Sequence, residues 1–237
     1  MTTVPSDAVK ELAPTGKLRA AINLGNIVLA QGTDDAPRGI TVDLARELAR
    51  RTGLPLELVP FHGAGKVFDA VGSWDIAFLA IEPVRAAEIA FTAPYVIIEG
   101  VYVVPENSPL KAVDDVDRGG IRIAVNKGSA YDLFLSRTLK SAELVRAPDG
   151  FAAFLDGRLD VVAGVKQPLA AFVKRTPGVR MIDGRFMEIR QAMGTPRGRE
   201  AAARYLASFV EEMKASGFVA EALKRSNQPD ATVAPSA

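Results

Sequence analysis

An α/β protein of two parallel-sheet lobes is predicted by three observations. Short apolar strands alternate with amphipathic helices along most of the chain, the segment Ile76–Ala80 is apolar at every position, and the alternation restarts after the polar stretch 114–120. A continuously apolar strand is buried on both faces, as happens where helices cover both sides of a sheet. The restart implies a second sheet, with a crossover near residues 102–109. Lobe 1 is expected over residues 1–103 with 190–237, and lobe 2 over residues 104–189. Two strands joining such lobes form a hinge, and the cleft between them is the expected pocket.

Each element has its own sequence signal. Residues 18–24 read as a strand ending at Gly25-Asn26, and Pro37 and Gly39 punctuate the polar loop that follows. Val42, Leu44, Ala45, Leu48 and Ala49 recur at helical spacing opposite Asp43, Arg46, Glu47, Arg50 and Arg51, with Gly53 just past the end. Residues 56–60 read as a strand, 66–71 as a helix and 76–80 as the buried strand. Glu82-Pro83 then opens a short helix, since proline is tolerated in a first turn. Residues 96–104 form a β-branched strand interrupted at Glu99-Gly100. In the second lobe, strands are expected at 121–125, 143–145, 161–163 and 179–182, and helices after Gly128-Ser129, over 151–155 and over 165–173. Residues 186–193 are extended and cross back. Two helices separated by Gly217 close the pattern, and the aperiodic residues after Arg225 are expected to fray.

Composition removes several function classes. The 237 residues carry 29 basic and 28 acidic side chains, a net charge of +1 with no cationic stripe, so no nucleic-acid partner is expected. No apolar run is long enough for a transmembrane segment. The absence of cysteine excludes disulfides and thiolate chemistry, and the single histidine, His62, excludes a histidine-rich metal site. No metal and no cofactor is expected. The opening Met1-Thr-Thr-Val-Pro-Ser-Asp7 lacks the basic and apolar regions of a secretory signal, which reads as cytoplasmic if this start is the native one.

The candidate site residues lie where open parallel sheets present their ligands, at the carboxyl ends of strands. Arg85, just past the buried strand, is suited to grip a carboxylate with its guanidinium fork, and Glu82 sits beside it. Asn23 and Asn26 follow the first strand and serve either as ligand hydrogen-bonding groups or as an Asn-Gly turn. Gly128, Ser129 and Ala130 open a helix, where N–H groups and a hydroxyl suit an anion, or where Ser129 simply caps the helix. Lys166 ends a later strand as a cleft cation or a surface lysine, and Asp160 reads as a structural group at a strand start. Phe61 and Trp74 are core or an apolar wall; His62 is a cleft donor or a plain loop residue. No catalytic group stands out. The glycine-rich stretch 62–66 fails as a phosphate loop, because Pro60 and Val67 occupy positions where glycine and a hydroxyl residue are needed.

Together Gly16-Lys-Leu-Arg19, Gly39-Ile-Thr-Val-Asp43, Trp74-Asp75-Ile-Ala77, Pro83-Val-Arg85, Phe91-Thr-Ala-Pro-Tyr95 and Gly157-Arg-Leu-Asp160 resemble the family 3 extracellular solute-binding proteins over residues 16–225. The resemblance implies a periplasmic-binding type II fold, a periplasmic location, a monomer and an ABC-transporter permease as partner. It also implies that Arg85 clamps the ligand's carboxylate, assisted by Gly128, Ser129 and Ala130, while Phe91 and Tyr95 support the wall. Two positions depart from the pattern. Glu82 stands where threonine is usual, and Val165, followed by Lys166, stands where the family places the acid that receives an α-ammonium.

The expected function is therefore capture of a small carboxylate that lacks an amino group, with Lys166 meeting a second carboxylate. Two alternatives share the fold: a cyclohexadienyl dehydratase-like enzyme using Glu82 as an acid, and a ligand-sensing regulatory module.

Overall fold

The computed structural model describes residues 4–228 and 230–237. The chain divides into two compact units, Met1–Ile97 with Arg190–Ala237, and Ile98–Ile189.

The first unit opens with helix α1 (Ser6–Leu12), strand β1 (Leu18–Asn23), the short pair β2 (Gln31–Gly32) and β3 (Pro37–Arg38), and helix α2 (Ile40–Thr52). Strand β4 (Leu56–Phe61), helix α3 (Ala64–Asp69), strand β5 (Ile76–Ala80), helix α4 (Pro83–Ala86) and strand β6 (Ile89–Pro105) follow. The second unit contributes β7 (Arg122–Asn126), α5 (Ala130–Thr138), β8 (Glu143–Ala147), α6 (Gly150–Asp156), β9 (Val161–Val165), α7 (Lys166–Arg175) and β10 (Val179–Met181). Strand β11 (Met187–Pro196) leads back to the first unit, where α8 (Glu200–Ala215), α9 (Phe218–Arg225) and β12 (Thr232–Val233) end the chain.

In the first unit β1 lies between β4 and β5, all parallel, with Leu18 opposite Leu56 and Ala20 opposite Ile76. Antiparallel β11 follows, with Met193 opposite Phe78. Because β4, β1 and β5 run the same way, the loops after Phe61, Asn23 and Ala80 emerge along one edge of the sheet. Ala21, Val67, Trp74, Ala77, Leu79 and Ile89 form a core group against this sheet. Helix α2 buries Val42, Leu44, Ala45, Leu48 and Ala49, carries Asp43 in its first turn and Arg50 and Arg51 in its last, and stops at Gly53, whose φ of 70° is left-handed.

In the second unit β7 is parallel to both β8 and β9, and the far part of β6 runs antiparallel to β9, with Val101 opposite Gly164. Its core is Val101, Val103, Ala124, Phe154, Leu159, Val162, Leu169 and Phe172. Asp160 accepts the Arg122 N–H at 2.9 Å, the structural role expected for an acid at a strand start.

Three features depart from the sequence reading. Helix α1 had no periodic signal of its own. Strand β6 begins at Ile89 and passes unbroken through Glu99-Gly100. Gly100 is required there for close approach: a Cβ at that position would lie 2.7 Å from Met187 Cγ and 2.9 Å from Phe186 Cζ.

The third departure is the C-terminus, which does not fray. Strand β12 pairs with β6, with Thr232 opposite Ile97 and Val233 opposite Val96, and the Ala234 N–H donates to the Tyr95 carbonyl at 3.1 Å. Lys214, buried in α8, donates Nζ to the Pro235 carbonyl at 2.8 Å and the Pro94 carbonyl at 3.3 Å, so tertiary hydrogen bonds replace the missing periodicity. A chain ending at Gln228 loses one acceptor of that ammonium and the β12 ladder. It is expected to be destabilised by about 1–3 kcal/mol, a fall of roughly 2–4 °C in Tm per kcal/mol for a chain of this size. An unchanged Tm in a thermal melt would contradict the structural role of the strap.

Candidate functional site

The loops at the carboxyl edge of the first sheet hold six of the predicted site residues. Asn23 ends β1, and its Oδ1 accepts the N–H groups of Gly25 at 3.1 Å and Gly63 at 3.2 Å. This acceptor ties the loop after β1 to the loop after β4, so its carbonyl side is engaged in the turn. Asn26 continues the turn, donating its N–H to Asn23 O and accepting from Leu29 and Ala30. Phe61 ends β4 and packs on the core group that contains Trp74. Trp74 is itself fully buried and donates Nε1–H to the Val67 carbonyl at 2.9 Å, which settles it as core. His62 is exposed, with Nε2 2.9 Å from Asp34 Oδ1.

Arg85 and Glu82 stand apart from these. Arg85 is 1% exposed and Glu82 2% exposed, so both charged groups of the short turn at the end of β5 are withdrawn from water. The Arg85 Nη1 donates to the Ala80 carbonyl at 3.1 Å, turning the guanidinium back over the end of the strand that leads to it. Burial lowers the Arg85 pKa to about 10, opposed by attraction from the Glu82 carboxylate. The guanidinium therefore stays charged at neutral pH. Glu82 precedes α4 with extended φ and ψ, yet its side chain makes no capping bond to that helix. Beside this buried pair the loops expose apolar side chains, Val84 at 50% and Ile27 at 51%.

In the second unit the loop after β7 opens α5. Gly128 is left-handed, with φ of 72°, and its N–H donates to Asp132 Oδ2 at 2.8 Å. The Ser129 Oγ accepts the Asp132 N–H at 3.0 Å. These reciprocal bonds form a cap, so the Ser129 oxygen has a structural partner. Ala130 and Tyr131, the first two helical residues, have N–H groups with no backbone or side-chain acceptor among the described residues. Asp132 is buried and is also held by Arg146 Nε at 2.9 Å.

Lys166 follows β9, and its Nζ lies 2.6 Å from Glu99 Oε2, while Arg185 Nη1 lies 2.9 Å from Glu99 Oε1. The Lys166 hydrogen bond, then that of Arg185, holds the Glu99 carboxyl below the usual carboxylate range. The expectation that Lys166 awaits a ligand carboxylate thus meets an internal one. Glu99 escaped the sequence reading as a site neighbour; its only signal was a lone acid in a β-branched run.

The structure gathers Asn23, Asn26, Phe61, His62, Glu82 and Arg85 on neighbouring loops of one unit, and Gly128, Ser129, Ala130 and Lys166 on the loops after two adjacent strands of the other. A cavity of about 380 Å³ lies elsewhere in the first unit, lined by Arg50, Arg51, Arg204, Tyr205, Phe209 and Glu212 among others, and by none of the predicted site residues. Arg51 there pairs with Glu47 and Glu212 and lies over the Phe209 ring, which is a packing role.

The sequence pattern of the bacterial extracellular solute-binding proteins, family 3, matches residues 28–227. A cyclohexadienyl dehydratase of Pseudomonas aeruginosa is 28% identical over 133 residues, which cover 52% of this chain and 49% of the dehydratase. The L-cystine-binding protein TcyJ of Escherichia coli K12 is 22% identical over 233 residues, 89% of this chain and 85% of that protein. Among solved structures, a solute receptor for L-cysteine of Neisseria gonorrhoeae superimposes with a TM-score of 0.79 at 22% identity, covering 93% of this chain and 94% of the receptor. At that identity the likeness establishes the fold, the two-lobed α/β arrangement of type II periplasmic binding proteins that the sequence predicts.

Proposed function

The chain belongs to the bacterial extracellular solute-binding proteins, family 3, and from that premise we propose that it captures a small carboxylate-bearing solute through Arg85 for an ABC-transporter permease, outside the cytoplasmic membrane. No helix among the described residues is long and apolar enough to cross a membrane. The observation that carries the reading is the buried, charged guanidinium at the carboxyl end of β5. A guanidinium fork held at a strand end matches the two oxygens of a ligand carboxylate, which it can meet in paired charge-assisted hydrogen bonds. In the second unit, the open N–H groups of Ala130 and Tyr131 are the corresponding candidate anion contact.

Arg85 is covered in this structure, so a solute reaches it only when the covering groups move. Binding is then coupled to a conformational equilibrium, which the solute shifts by its differential affinity for the two states.

The finer reading is that the solute lacks an α-amino group. Val165 supplies no charge, and Glu99 is committed to two cations, so an ammonium placed there has no uncommitted acid to meet. A thermal-shift screen of organic, aromatic and amino acids tests both levels. An organic acid present at about 100 times its Kd is expected to add about 2.7 kcal/mol of stability. Micromolar binding of an ordinary L-amino acid would remove the finer reading, and silence across all carboxylates would remove the coarser one.

The match to a cyclohexadienyl dehydratase favours one second reading, elimination from a prephenate-like acid with Glu82 as the proton donor. Incubation with prephenate separates the two. The receptor reading expects no growth of phenylpyruvate absorbance, and the dehydratase reading expects it to depend on Glu82.

A further inference from the structure

We infer that Asp183-Gly184 is a modification site, where the main chain isomerises spontaneously to an isoaspartyl linkage while two other Asp-Gly pairs of the chain are protected by the fold. The site is independent of Arg85, since every residue involved lies in the second unit.

The sequence holds three Asp-Gly pairs, beginning at Asp149, Asp156 and Asp183. Isomerisation starts when the glycine amide nitrogen attacks the aspartyl Cγ and the carboxyl hydroxyl leaves as water, closing a five-membered succinimide. Water then opens the ring at either carbonyl. One opening restores aspartate, and the other leaves the chain running through Cβ and Cγ, with the α-carboxylate as the new side chain. Glycine favours ring closure because it sets no Cβ in the way. The fold decides the rest, by holding or releasing the amide nitrogen and the carboxyl.

At two pairs both are constrained. Gly150 is buried and its N–H donates to Asn126 Oδ1 at 2.8 Å, while Asp149 Oδ1 accepts the Phe151 N–H at 2.9 Å and the Ala152 N–H at 3.3 Å. Asp156 is the last residue of α6, and the Gly157 N–H donates to the Ala153 carbonyl at 3.0 Å.

Asp183 and Gly184 are both exposed. Met181 stands opposite Val103, and the Ile182 N–H donates to the Tyr102 carbonyl at 2.9 Å, a register that would set Gly184 opposite Gly100. The Phe186 N–H instead takes the Gly100 carbonyl, at 3.0 Å, so two extra residues bulge from the edge of β6. Gly184 turns the bulge with a left-handed φ of 91°. Among the described residues the Asp183 carboxylate has no hydrogen-bond or ion-pair partner and the Gly184 N–H has no hydrogen-bond acceptor; a bridge to Ala112 is the pair's other tie. The new linkage would add a methylene to the main chain two residues before Arg185, whose guanidinium pairs with Glu99 and Glu188.

The test is ageing of the full chain in heavy-oxygen water at mildly acidic pH, followed by tryptic digestion in ordinary water and mass spectrometry. Ring opening leaves one solvent oxygen in the aspartyl residue. Cleavage after arginine puts Asp149 and Asp156 together in peptide 147–158 and Asp183 in peptide 181–185. A urea-unfolded sample, in which both peptides take up label, sets the ageing time. In the folded protein, peptide 181–185 is expected to carry roughly tenfold more label than 147–158, the factor for a hydrogen bond that must first break at each protected nitrogen. Its labelled isomer should be a substrate for an isoaspartyl carboxyl methyltransferase. Asp183→Glu keeps the exposed charge but needs a six-membered ring, and should abolish label and methylation in 181–185. Equal labelling of the two peptides in the folded protein, an unlabelled 181–185, or label that survives Asp183→Glu would each overturn the assignment.

Discussion

Replacing Asp75 with alanine is expected to destabilise the fold by about 3–5 kcal/mol, the range for removing one partner of a buried ion pair. Asp75 is fully buried at the start of β5. Its carboxylate accepts the Arg19 N–H, Nε and Nη2 and the Arg199 Nη1, each at 2.9 Å. Its own N–H donates to the Arg19 carbonyl at 2.8 Å. Arg199 Nη1 also reaches the Glu11 carbonyl, and Glu11 accepts the Ala202 N–H at 2.9 Å. One carboxylate therefore fastens the starts of β1, β5 and α8 and the end of α1, at the sheet edge opposite the candidate loops. Burial pushes the Asp75 pKa up, but the hydrogen bonds of Arg19 and Arg199 outweigh it and hold the group below the ordinary carboxylate value. A folded-state pKa below the unfolded one gives stability that is present above the ordinary carboxylate range and lost as the pH falls through the folded value. The gap in urea midpoint between wild type and Asp75→Asn should accordingly be widest near neutrality and shrink below about pH 4. A gap independent of pH would show that ionisation of Asp75 is not the source of the stabilisation, and an Asp75→Ala midpoint equal to wild type would show that the network carries none.

How legible this was in the sequence depends on what each residue was doing. Local periodicity placed β5 at Ile76–Ala80 and let α2 be bounded by Gly53, because those signals are written within one element. The C-terminal strap was unreadable for the opposite reason: Thr232 and Val233 become strand only by pairing with Ile97 and Val96, more than a hundred positions away. Gly100 was readable as an unusual residue but not as a close approach, since Phe186 and Met187 come from a distant segment. At the candidate site, position relative to a strand end picked out Arg85 and Lys166. It said nothing about their internal partners. Glu82 was visible three residues from Arg85, whereas Glu99 reaches Lys166 only through the pairing of β6 with β9. The roles of Asn23 and Ser129 were split between ligand and turn, and hydrogen bonds to Gly25, Gly63 and Asp132 supply the turn and cap partners.

Arg85→Ala should lower affinity for the accepted carboxylate by about 2–5 kcal/mol, the effect of truncating one member of a buried, hydrogen-bonded charge pair. It should also destabilise the protein alone, because Glu82 is left as a buried carboxylate that has lost the attraction of the guanidinium. These two losses have different remedies. Replacing both charges with alanine removes the carboxylate together with the guanidinium, and buried pairs exchanged for apolar groups are often neutral in stability. The double variant is therefore expected to recover most of the stability lost in Arg85→Ala while recovering none of the binding. A double-mutant cycle on Tm or urea midpoint measures the first expectation, and titration of the same proteins measures the second. Additive stability losses would mean that Glu82 and Arg85 do not compensate each other in the folded chain. Restored binding in the double variant would mean that the carboxylate is held by some other group, and that the guanidinium at the end of β5 only packs.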